Sequence, residues 1–140
     1  MKVQRFLAAV AVSLFIVPML SACGPTSVDV TLETYKLTMS RNTAPAGDIV
    51  FHVTNKATDQ THEFVIFATD LPEDQLPVKD DGTVDEEGTG VTHVDEVEVE
   101  AGQASDLKVN LPAGNYVMIC NIDTPTPHYM QGMHAAFTVQ

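Results

Sequence analysis

The sequence predicts an all-β protein, an antiparallel β-sandwich of about seven to eight strands. Three observations predict it. Apolar and polar residues alternate with a period of two along several short stretches. Clusters of Gly, Pro, Asn and Asp separate those stretches as turn signals. Nothing after residue 27 sustains the 3.6-residue period of an amphipathic helix.

The first 22 residues stand apart from the domain. Lys2 and Arg5 give a short basic start, and Phe6 to Leu20 is an apolar run interrupted by Ser13 and Pro18. That run is too short and too broken for a membrane span and ends in small residues, as a signal peptide does. Leu20-Ser21-Ala22-Cys23 resembles the lipobox of bacterial lipoproteins. The resemblance implies cleavage before Cys23, lipidation of Cys23 and an extracytoplasmic, membrane-anchored location. An ordinary secretory signal with a chance cysteine is the alternative. Residues 23–27 then form a tether, and 28–140 the domain.

Val28 to Leu32 alternates, and Tyr35 to Met39 continues extended. Asn42 to Gly47, holding Pro45, is a turn. Ile49, Phe51 and Val53 alternate with Val50, His52 and Thr54. After a polar turn, His62 to Phe67 is a compact apolar run of the kind a sandwich strand shows. Residues 70–90 are dense in Asp and Glu, with prolines and glycines, and are expected to form an acidic, solvated surface excursion with one short helical turn at most. Asp80-Asp81-Gly82 lacks the alternating carboxylates and closing Glu of an EF-hand. Strand signals resume at Val94, Val97 and Val99, then at Leu107, Val109 and Leu111. Pro112 to Asn115 is a tight turn. Beyond it Tyr116, Met118 and Cys120 share one face, opposite Val117 and Ile119. His134 to Val139 is the last strand.

Seven basic residues face nineteen acidic ones in the whole chain, a net charge of −12. Loss of Lys2 and Arg5 with the signal would take this to −14. A surface so acidic argues against nucleic acid and against docking to anionic lipid; it serves solubility first, or else favours a basic protein partner. No internal repeat, Gly-rich phosphate loop, Ser-His-Asp set or paired carboxylates suggest an enzyme or a small-molecule substrate.

The chain has two cysteines. If Cys23 is acylated, Cys120 is a lone thiol in an oxidising compartment. Its neighbours give it a role: His128 and Met133 follow within thirteen residues. Soft sulfur ligands with imidazole select copper, and two His and one Cys with a distant axial Met form the blue-copper arrangement. Met130 competes with Met133, but it follows His128 too closely to swing a thioether to an axial position. Prolines 125 and 127 stiffen the loop. The second His is expected to be His62, at the start of HEFVIF, with Asn55 or Glu63 as supporting groups. His52, His93 and His134 are left out of the ligand set.

Ala46 to Phe51 with Asn55, His62 to Ile66, Gly114 to Cys120 and His128 to Val139 together resemble the cupredoxins, small plastocyanin-like type 1 blue copper proteins. The resemblance implies a Greek-key β-sandwich with one copper ion held by His62, Cys120, His128 and Met133. Seven residues, Asn121 to Pro127, separate Cys120 from His128, a longer gap than many members have. The copper domain of nitrite reductases has comparable spacing. This longer loop is where an altered potential or a greener centre would originate.

The function expected from this resemblance is one-electron transfer by a membrane-tethered carrier. His128 would be the electron port, its edge near the surface, with Pro125, Pro127, Tyr129 and Met130 as an apolar docking patch. The partner would be a redox protein such as a cytochrome or an oxidase, steered by charge. The alternative is a copper chaperone or store delivering Cu(I) to an extracytoplasmic oxidase.

Overall fold

Alternating β-branched and aromatic residues build two sheets that close on each other face to face. The computed structural model describes residues 24–140. The expected signal segment 1–22 and lipidated Cys23 lie outside the described residues. Nine strands follow in order: β1 (Thr26–Glu33), β2 (Lys36–Met39), β3 (Thr43–Ala44), β4 (Gly47–Asn55), β5 (His62–Ala68), β6 (Thr92–Val99), β7 (Ala104–Leu111), β8 (Gly114–Ile119) and β9 (His134–Val139). One sheet has the order β2-β1-β4-β7 and the other β3-β9-β8-β5-β6. Among the described residues no helix is long and apolar enough to cross a membrane.

The sandwich departs from the expectation in two respects. The count is nine because the turn after β2 contributes the two-residue β3. The sheets are also mixed: β1 runs parallel to β4, and β3 parallel to β9. Period-two patterning specifies which face of a strand is buried, not the direction of its neighbour.

The inner faces meet as the alternation requires. Val28, Val30 and Leu32 of β1 and Ile49, Phe51 and Val53 of β4 pack against Phe64, Ile66, Met118 and Phe137 of the other sheet. Phe51 bridges the layers, its ring 5.3 Å from Phe64 and 5.7 Å from Phe137. Tilted and edge-on aromatic pairs of this kind add to the area they bury.

The acidic excursion between β5 and β6 is more than a solvated loop, and among its described residues it has no helical turn. It lies over the outer face of β5 and β8. Leu76 and Val84 pack there against Val65, Phe67, Val117 and Ile119, with Tyr129 completing a second core. Leu76 and Val84, with half-buried Leu71, pin it while its carboxylates stay outside. This cover explains the unbroken apolar run of β5. Phe64 and Ile66 face the inner core, and Val65 and Phe67 face the outer one.

Candidate metal centre

β5 pairs with β8 antiparallel, with Val65 opposite Ile119. That register brings the first residue of β5, His62, beside the end of β8, where Cys120 sits. The chain then runs through Asn121–Pro127 and returns His128 to the same place. His128 begins a 3-10 turn, Tyr129–Gln131, closed by Gly132 in the left-handed region at φ +96°. A side chain there would be strained, so glycine suits the reversal into β9.

Three donor atoms converge. His62 Nδ1 lies 3.1 Å from His128 Nδ1 and 3.6 Å from Cys120 Sγ, and the third edge, His128 Nδ1 to Sγ, is 3.3 Å. All three residues are fully buried, 0% exposed. Met133 is equally buried and joins the inner core beside Cys120. Its carbonyl accepts from the Cys120 amide at 3.0 Å, and its own amide donates to the His128 carbonyl at 3.2 Å. Met130 is 58% exposed.

Burial dominates the acid–base state of these groups. It pushes His62 down from its ordinary value to about 4, helped by His128 and opposed by Asp59. It lowers His128 as well, against the Thr124 carbonyl and Asp123. It raises the Cys120 thiol to about 11, although the backbone N–H groups of Glu63 and Ile122 favour the thiolate. Both imidazoles are therefore neutral near pH 7. His128 Nε2–H donates to the Thr124 carbonyl at 3.1 Å, which leaves Nδ1 as a bare lone pair aimed at the triangle. His62 Nε2 is buried with no hydrogen-bond partner.

Such a set fits a cation. A point about 1.9 Å from all three donors lies at the centre of the triangle, near the about 2.0–2.3 Å that imidazole and thiolate ligands keep from a divalent first-row ion. Two neutral imidazoles and a thiol that gives up its proton on binding supply the required ligand states. The sulfur, nitrogen and thioether types match copper rather than calcium or magnesium.

Supporting contacts differ from expectation. Asn55 makes no hydrogen bond to the His62 ring. It donates to the Gln60 and Val99 carbonyls and accepts from the Ala57 amide, so it shapes the loop leading into His62. Glu63 acts through its backbone, whose amide donates to Cys120 Sγ at 3.3 Å. His128 has no edge at the surface, because the Thr124–Pro127 loop and Tyr35 cover it. Tyr129 is no part of an exposed patch. It is buried, and its hydroxyl accepts from the Leu76 amide at 2.9 Å. His52, His93 and His134 lie near carboxylates away from the triangle.

Two supporting residues escaped the sequence reading. Asn121 accepts from the Val84 amide at 2.7 Å and donates to Glu86, tying the acidic excursion to the residue after Cys120. Tyr35 packs edge-on against His128. An Asn after the thiol and a two-residue gap between extended segments were the visible signals, and neither names a partner.

The strand order, with a loop carrying His128 between the last two strands, defines the β-sandwich fold of this chain. Particular solved structures share this fold. Reduced auracyanin from Roseiflexus castenholzii aligns at TM-score 0.57 and 20% identity, over 84% of this chain and 99% of that one. Auracyanin A, a blue copper protein of Chloroflexus aurantiacus, aligns at 0.58 and 15%, over 84% and 100%. Rusticyanin from Thiobacillus ferrooxidans aligns at 0.54 and 17%, over 84% and 79%. No protein-family model matches the chain, and no curated protein matches it by sequence.

Proposed function

We propose that the protein is a one-electron carrier with a single copper ion held by His62, Cys120, His128 and Met133. The observation that carries this reading is the buried triangle of two imidazole nitrogens and one thiol. Copper bound there would supply one-electron chemistry between Cu(I) and Cu(II). Every other part of the task falls to the chain. His62 and His128 present neutral lone pairs. The Glu63 amide supports charge on the Cys120 sulfur. The two cores keep water from the donors, which favours retention of the metal and raises the potential. Full burial of the donors leaves no open position for a substrate, which favours a carrier over a metalloenzyme. Auracyanin A is a blue copper protein, and this reading extends that property to the present chain.

The partner would approach the loop that carries His128. An open cleft of about 490 Å³ lies beside it, with Asp59, Glu98, Thr124 and Pro125 in its lining. Its carboxylates suit a basic redox protein, with a salt-sensitive encounter rate. Cleavage before Cys23 and acylation of that residue would hold the carrier at an extracytoplasmic membrane surface.

A visible spectrum of the purified protein after adding Cu(II), repeated after ascorbate, tests this function. An intense band that ascorbate bleaches reversibly, and that Cys120→Ser lacks, is the expected result. A colourless protein that binds Cu(I) tightly would indicate copper delivery instead. Absence of any copper binding would refute both.

A further inference from the structure

Tyr35 occupies an unfavourable backbone conformation directly beside the candidate metal centre. It is the second residue of the Thr34–Tyr35 turn between β1 and β2, with φ +56°. Among the described residues it is the non-glycine residue with positive φ. Gly or Asn would sit there with little strain, whereas an aromatic residue is disfavoured. Strain of this kind persists where the side chain has a role that the surroundings enforce.

The side chain meets the ligand loop twice. Its ring lies 5.4 Å from the His128 ring at 86°. Its hydroxyl accepts from Thr126 Oγ1 at 3.2 Å, across ninety-one positions of sequence. His128 in turn donates to Thr124, on the same loop. Tyr35, Thr126, Thr124 and His128 therefore form a closed clamp. Its outer jaw belongs to the first sheet, and its inner jaw to the loop between the last two strands of the second.

We propose that Tyr35 is a positioning residue: its ring fixes the plane of the His128 imidazole and covers it, and the hydroxyl contact to Thr126 is a minor addition. The redox consequence rests on the copper reading above, while the contact itself does not. An imidazole that cannot swing keeps Nδ1 at its place in the triangle, and outer contacts of this kind orient metal ligands and tune their affinity. Covering the ring also keeps water away, and water admitted there would lower the reduction potential.

The test uses Tyr35→Gly, Tyr35→Asn and Tyr35→Phe in the full chain. Gly and Asn accept the turn geometry, so they remove the ring without straining the backbone. The first readout is the His128 imidazole NMR signal in metal-free protein. Wild type and Tyr35→Phe should show one ordered ring, and the Gly and Asn variants a shifted or exchange-broadened one. The second readout is copper affinity and midpoint potential. The Gly and Asn variants should bind about tenfold more weakly, at a lower potential, with Tyr35→Phe near wild type. Folded Gly and Asn variants with a wild-type ring signal and wild-type affinity would overturn the proposal. Failure of both to fold would also overturn it, by assigning Tyr35 a purely structural role. If wild type binds no copper, the copper reading falls and the metal-free ring signal still decides the role of Tyr35.

Discussion

The amide of Glu63 donates to the sulfur of Cys120 across 3.3 Å. Glu63 immediately follows His62, so one dipeptide at the start of β5 presents an imidazole to the site and a hydrogen bond to the thiol at its centre. The strand pairing that brings these groups together therefore places two candidate ligands and electronically tunes one of them, Cys120. Hydrogen bonds to a coordinating sulfur are among the recognised controls on copper potential.

The buried thioether gives one prediction. Met133→Leu conserves volume in the core and should cost less than about 1.5 kcal/mol of stability. Copper and the visible band should persist while the midpoint potential shifts, because a weak axial ligand is removed. Potentiometry decides. An unchanged spectrum and potential would take Met133 out of the ligand set.

Asn121 gives a second. Its side chain satisfies the amide of fully buried Val84 and steadies Glu86. Asn121→Ala leaves that amide unpaired and should cost about 1–3 kcal/mol in urea unfolding of the metal-free protein. Hydrogen exchange should quicken across residues 76–90 and leave β1 and β4 protected. Uniform loss of protection would show that the excursion is not a separate unit.

Acid dependence gives a third, in which two lowered imidazoles, His62 and His128, oppose one raised carboxyl, Glu63. Folded His62 sits near 4 against an ordinary 6.5. Between these values the unfolded chain holds the extra proton, so stability falls as pH falls, by about 3 kcal/mol at most. Folded Glu63 sits near 7 against 4.5, raised by burial and then by Glu96, Glu86 and Glu98. Across much the same window the folded chain holds that proton, so stability falls as pH rises. His128, lowered as well, adds to the His62 slope, so metal-free wild type should lose stability only modestly as pH falls from 6.5 to 4.5. Glu63→Gln should expose the His62 slope, with the urea midpoint dropping toward pH 4. A Glu63→Gln profile no steeper than wild type would contradict this balance.

Anchoring gives a fourth. Cys23→Ser should move the protein from the membrane to the soluble fraction and remove the acyl mass from its N-terminal peptide. Its copper spectrum should be unchanged, because the site lies wholly within the sandwich. Equal membrane association of the two forms would exclude the lipid tether.

Alternation along single strands was enough to place Tyr116, Met118 and Cys120 inward, with Val117 and Ile119 opposite, and to exclude a helical domain. The ligand types at 120, 128 and 133 were legible because they are close in sequence and chemically distinctive. The partnership of His62 with Cys120 was suggested by resemblance, but its geometry arises from the β5–β8 register, a contact across fifty-eight positions. The role of residues 70–90 was hidden because many carboxylates outnumber Leu71, Leu76 and Val84, the anchors that decide where the segment lies. The cover over His128 was hidden for a similar reason. That cover includes Tyr35, from the β1–β2 hairpin near the start of the domain sequence, and no local pattern in the ligand loop encodes that contact. Local periodicity and ligand chemistry are properties of the chain itself. Which distant side chain closes over which ligand is decided only when two sheets pack, because burial and register are satisfied jointly by all of their strands.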